Sequence, residues 1–148
     1  VMRSADSHLD FDLDLARSQS NENPVYYIQY AHARICSIIR QLNDLGRRLP
    51  DFAQVDLSLL KEEAELSLAR KLADFPEEVA TAARDLAPHR LPRYLHETAG
   101  LFHSFYNSYR VISDDEALSS ARLALAVATR VVLANGLRLI GVDAPERM

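Results

Sequence analysis

The 148-residue chain is poor in several things, with one cysteine, four glycines, two methionines and no tryptophan. A lone cysteine excludes an internal disulfide. The glycines at 46, 100, 136 and 141 stand apart from one another, which excludes a glycine-rich phosphate loop and the nucleotide hydrolysis that goes with it. No stretch reaches the roughly 18 uninterrupted apolar residues that read as a membrane span. Asp6, Asp10, Asp12 and Asp14 fill the place where a secretory signal would carry its apolar run. A chain in the reducing cytoplasm with no membrane attachment is expected.

What is abundant is leucine and alanine, 22 and 20 residues in a chain that is 48% hydrophobic. Both are strong helix formers, and their number suffices to bury one domain core. The net charge of −4 is unevenly spread: residues 1–23 sum to −3, 24–48 to +3, 51–87 to −5 and 88–148 to +1. Strong non-specific binding to nucleic acid is therefore not expected, since it scales with the phosphates neutralised. A local basic face stays open. Fifteen of the 17 basic residues are arginine, which fits either recognition by planar forked donors or a GC-rich genome.

The segment Leu9–Leu15 alternates Leu9, Phe11, Leu13 and Leu15 with three aspartates, the period of a half-buried strand, but it runs on into helix-friendly residues. Asn23-Pro24 then reads as a helix cap and first position, and a domain boundary falls there. From Pro24 to Leu45, Ile28, Ala31, Ile35, Ile38, Leu42 and Leu45 form one helical stripe that closes at Gly46. A second stripe, Tyr27, Tyr30, Arg34, Ser37 and Gln41, is rotated by about 100°. Asp56 is expected to cap a helix lined by Leu60, Ala64, Leu68, Leu72 and Phe75, and Pro76 to open another that Pro88 closes. A fourth long helix carries Leu91, Leu95, Ala99, Phe102, Tyr106 and Tyr109. Ser113-Asp114-Asp115-Glu116 fits a capping box for a largely apolar helix from Ala117 to Asn135, stopped by Gly136. The fold expected is an all-α bundle of about five main helices.

Catalytic constellations are thin. His96 and His103 are seven apart, about 10.5 Å along a helix, too far for two ligands of one ion. Cys36 has His32 at i−4, a candidate thiolate pair, although a buried inert thiol reads better. No catalytic or metal-binding residue is assigned. The aromatic-polar stripe is what a core role explains least, because tyrosines and an arginine one turn apart can stack on unpaired bases and bond their edges or phosphates. Packing of Tyr27 and Tyr30 between helices is the competing reading.

The run Asn21-Glu22-Asn23-Pro24-Val25-Tyr26-Tyr27-Ile28-Gln29-Tyr30-Ala31-His32-Ala33-Arg34 closely resembles the start of the anticodon-binding domain of arginyl-tRNA synthetases. Leu91-Pro92-Arg93-Tyr94-Leu95 leading into Phe102-His103-Ser104-Phe105-Tyr106-Asn107 resembles the same family. So does Ala121-Arg122-Leu123-Ala124-Leu125 leading through Asn135-Gly136-Leu137 to Ala144-Pro145-Glu146-Arg147-Met148. The resemblance covers practically the whole chain and implies a class Ia anticodon-binding bundle over residues 23–148. Residues 1–22 resemble the end of the catalytic domain and its linker.

That family's ATP-binding His-X-Gly-His signature is absent and the chain begins with Val1, so a C-terminal fragment is expected. It would have no enzymatic activity and no cofactor of its own, while ATP with magnesium belongs to the parent ligase's catalytic domain. The implied partners are the anticodon loop of arginine tRNA and that catalytic domain, with the fragment itself a monomer. Carried over by position, Tyr27, Tyr30, Arg34, Tyr106, Asn107 and Met148 are the nucleic-acid-binding residues. Every arginine codon has a middle G, so every arginine anticodon shares a middle C for the module to read. An acceptor for the N4 amino group of that base would be needed, and a backbone carbonyl near Tyr27 or in the C-terminal tail could provide it. Gln29 and His32 fall between the two stripes and are expected to hold the helix against its neighbours, with direct RNA contact as the alternative. A helical protein-interaction module of the same fold, without tRNA specificity, is the alternative.

Overall fold

The computed structural model describes residues 22–148. The alternating segment Leu9–Leu15 and the linker assigned to residues 1–22, Glu22 apart, lie outside the described residues. Helix α1 spans Pro24–Asp44. The Asn23 side-chain oxygen accepts from the amides of Val25 at 3.1 Å and Tyr26 at 3.4 Å, serving donors that no helical carbonyl reaches. Ile28, Ala31, Ile35, Ile38 and Leu42 are all buried. Leu45, the last member of the expected stripe, is 64% exposed, because the helix ends at Asp44 and the chain turns at Gly46 with φ +70°.

The next segment departs from expectation. Asp56 caps only a single 3-10 turn, Leu57–Leu59, after a similar turn at Phe52–Gln54. Helix α2 begins later, at Glu63, and ends at Ala73. Its start is set by Glu65, whose Oε2 reaches back to accept from the amides of Lys61 and Glu62, each at 3.0 Å. A carboxylate there occupies both lone-pair directions with orphan donors, which Asp56, nine residues earlier, cannot do. Phe75 belongs to α3, Phe75–Arg84, with Pro76 in its first turn. That helix stops before Pro88, since Leu86 adopts a left-handed φ of +50°.

Helix α4, Arg90–Ser108, buries Leu91, Leu95, Ala99 and Phe102 as expected. Tyr109 falls just past its end in extended backbone. Helix α5, Glu116–Leu139, is capped by Asp115, whose side chain accepts from the Leu118 amide at 3.0 Å. By length and composition α5 is apolar enough to cross a membrane; in this bundle it packs against α1, α2 and α4, which accounts for an apolar surface on most sides.

Gly136 does not stop α5. It is buried within the helix, and a Cβ there would lie 3.0 Å from Leu95 Cγ. Its missing side chain lets α4 and α5 touch, while the turn out of the helix is made by Gly141 at φ +73°. Residues 142–148 form no helix and return across the bundle to α1.

Candidate nucleic-acid interface

Tyr30 and Arg34 are one turn apart on α1, and Tyr106 approaches them from the last turn of α4. The Arg34 guanidinium carbon lies 4.8 Å from the Tyr30 ring centre and 4.7 Å from that of Tyr106. Arg34 Nη2 donates to the Tyr30 hydroxyl at 2.9 Å, and Nη1 is 3.4 Å from His103 Nδ1. A guanidinium has only donors, so Nδ1 must be the acceptor and the imidazole must be neutral. Burial, reinforced by the Arg34 charge and opposed by the Tyr27 backbone, pushes the His103 pKa down to about 4. The planar fork of Arg34 is thereby held between two aromatic rings with its direction fixed by a third.

Tyr30, Arg34, Tyr106, Arg40, Arg147 and Met148 surround an open cleft of about 420 Å³. Among the described residues no acidic side chain lines it. Tyr26 extends the aromatic surface, its ring parallel to that of Tyr30 within 5° at 6.3 Å. On the other side of Tyr106, a second cleft of about 440 Å³ is lined by Gln41, Asn107 and Arg110 among others. The acidic chain thus carries one concentrated arginine-tyrosine surface, at the junction of α1, the end of α4 and the C-terminal tail.

Residues 28–148 match the model of the DALR anticodon binding domain. The chain belongs to this family. Over its full length it is 66% identical to the arginine–tRNA ligase of Desulforamulus reducens and 64% identical to that of Desulforudis audaxviator. It spans about a quarter of the length of the curated relatives it matches, 26% of each of these two. The Thermus thermophilus arginyl-tRNA synthetase structure superimposes with a TM-score of 0.79 at 34% identity, covering all of this chain and 25% of that one.

Of the six positions carried over to this DALR domain, Tyr30, Arg34, Tyr106 and Met148 meet at one cleft, and Asn107 lines the neighbouring one with Tyr106. Tyr27 goes elsewhere. Its ring is half-buried between His96 and His103, with centre distances of 4.9 and 4.8 Å. Tyr30, Arg34 and Tyr106 are half-buried instead of fully exposed, because Arg34 fills the space between the two rings. Among the described residues no group of three or more His, Cys, Asp or Glu could hold a metal ion.

His32 Nδ1 is 2.9 Å from the Pro145 carbonyl and so must carry a hydrogen. At 4.0 Å from Cys36 Sγ, that nitrogen has no free lone pair with which to take the thiol proton.

Sequence reasoning missed Arg40 and Arg147. Arg40 was legible as a continuation of Gln29, His32 and Cys36 along one flank of α1, whereas Arg147 reaches the cleft only because the tail folds back.

The His103 environment gives a stability prediction. Between pH 6.5 and about 4 the unfolded chain binds a proton at this residue that the folded chain refuses. Stability is therefore complete above pH 6.5 and falls as the pH drops toward 4, by about 2 kcal/mol after allowing for partial solvent screening. Urea titrations at pH 7 and pH 4.5 should show this loss, and His103→Gln should flatten it. An unchanged pH slope in the variant would contradict the assignment.

Proposed function

We propose that this chain binds the anticodon loop of arginine tRNA and reads its middle C, serving a parent ligase that attaches arginine to the tRNA with ATP and magnesium in a separate catalytic domain. The observation that carries the reading is the cleft in which three arginines and two tyrosines converge on an otherwise acidic chain. Membership of the DALR family and the names of the relatives support the same reading. Tyrosine faces suit unpaired bases, with stacking worth roughly 1–3 kcal/mol per base, and arginine forks suit phosphates or base edges. A cytoplasmic setting follows from the role, with the catalytic domain of the same parent as neighbour and the domain itself monomeric.

The test is an NMR titration with the arginine tRNA anticodon stem-loop and with the same stem-loop carrying A for its middle C. Resonances of Tyr30, Arg34, Tyr106, Asn107 and Met148 should shift with the C-containing loop, at an affinity about ten-fold or more above that for the altered loop. Tyr27 should respond less, being enclosed by two histidines. With three arginines engaged, the affinity should fall with salt at a log–log slope of about −2. Equal affinities would remove base reading from this domain, and no shift with either loop would remove RNA binding.

A further inference from the structure

The C-terminal tail is tied to α1 by three side chains of that helix. Gln29 Nε2 donates to the Asp143 carbonyl at 2.8 Å, His32 Nδ1 to the Pro145 carbonyl at 2.9 Å, and Arg40 Nη1 to the Glu146 carbonyl at 3.1 Å. The partners ascend together, from 29 to 40 on the helix and from 143 to 146 on the tail, so the tail lies parallel to α1. Gln29, His32 and Arg40 occupy the flank next to the Tyr30–Arg34 stripe. A segment bound along that flank delivers its last residues, Arg147 and Met148, to the cleft. Without those bonds the segment has no helical hydrogen bonds of its own to fix it.

We infer that Gln29 and His32 are positioning residues for RNA recognition: they do not line the cleft, and they fix the tail so that Met148 forms one of its walls. This rests on the anticodon-loop reading and adds the device that completes the binding surface. Both side chains act on backbone carbonyls, so the tail's course is set whatever side chains it carries at 143, 145 and 146. Arg40 has a second role open to it because it also lines the cleft, and so it is the poorer probe. His32 is buried, and its removal leaves a cavity. Gln29 makes its bond at the surface and can be changed without disturbing the core.

The experiment uses Gln29→Met, which keeps the side-chain volume and removes the donor, in the wild-type chain and in a Met148→Ala background. Affinity for the C-containing stem-loop should fall about five-fold in the first case and less than two-fold in the second, because the wall that Gln29 positions is already gone. An equal loss in both backgrounds would overturn the inference, as would no loss in the first. His32→Gln, which can restore a donor to Pro145, should retain more affinity than His32→Leu; equal losses would count against the inference.

A readout without RNA separates this idea from the proposed function. The chain has two methionines and Gln29→Met adds a third, so ¹³C-methyl labelling with Met148 assigned by its loss in Met148→Ala resolves its methyl, which should become more mobile in free Gln29→Met while the melting temperature stays within about 2 °C of wild type. If the wild-type chain ignores RNA but the methyl loosens, the recognition reading fails and the tail strap stands. If RNA binds and the methyl dynamics do not change, the strap fails alone.

Discussion

Arg122→Met is expected to cost the fold about 3–5 kcal/mol, the largest effect of any single substitution considered for this chain. Arg122 Nε lies 2.7 Å from Glu65 Oε1, and the Glu65 side chain is fully buried. Nη1 of the same arginine donates to the Arg110 carbonyl at 3.0 Å, and its guanidinium carbon sits 5.0 Å from the Tyr109 ring centre. Removing the arginine strands a carboxylate where no water reaches it, and uncaps the loop that links α4 to α5. Against a total stability of roughly 5–15 kcal/mol for a domain of this kind, that is a large fraction. The double variant Glu65→Gln/Arg122→Met should recover about half the loss, since an amide oxygen can still accept from the Lys61 and Glu62 amides without carrying charge. Urea unfolding of the two variants decides it: a single-variant cost below 1 kcal/mol, or no recovery in the double, would show that the pair is not what holds this junction.

Arg34→Met should weaken binding of the cognate anticodon stem-loop about thirty-fold, near 2 kcal/mol. The substitution removes a charge facing the cleft and also the planar group that holds Tyr30 and Tyr106 at a fixed spacing. Arg34→Lys should rescue little. An ammonium on a flexible stem cannot lie flat between two rings while bonding both the Tyr30 hydroxyl and His103 Nδ1. Isothermal titration with both variants is the measurement. If lysine restored nearly full affinity, simple charge would account for the role of Arg34 and the sandwich would be incidental.

Helix α1 was the most legible element because every signal in it is local: the Asn23 cap, the Pro24 start and the 3-4 spacing of its buried face all lie within the 21-residue helix and the residue before it. Glu65 shows the opposite case. In sequence it is one acid among several in an acidic stretch, and only Arg122, 57 positions away, makes it a buried one. The misplaced start of α2 follows from the same residue, since the capping carboxylate lies inside the helix and not ahead of it.

Gly136 misled because glycine serves both as a helix terminator and as a contact point, and the deciding neighbour, Leu95, is in another helix. In the candidate site, the stripe spacing brought out Tyr30 and Arg34, and family resemblance added Tyr106 and Met148. The enclosure of Tyr27 by His96 and His103 depends on how α1 and α4 face each other, which one helix's periodicity does not encode.

The tie between His32 and Pro145 spans 113 positions, so the cleft is assembled from the two most distant parts of the described chain. During synthesis, α1 emerges long before residues 143–148 exist, and contacts of such wide separation form late in folding. A chain whose residues 143–148 have not yet docked can therefore own a well-packed helical core and still lack the walls that Arg147 and Met148 give the cleft. Closure of the cleft is thus the last step in building this surface, and every stage before residues 143–148 dock on α1 leaves the side formed by Arg147 and Met148 open.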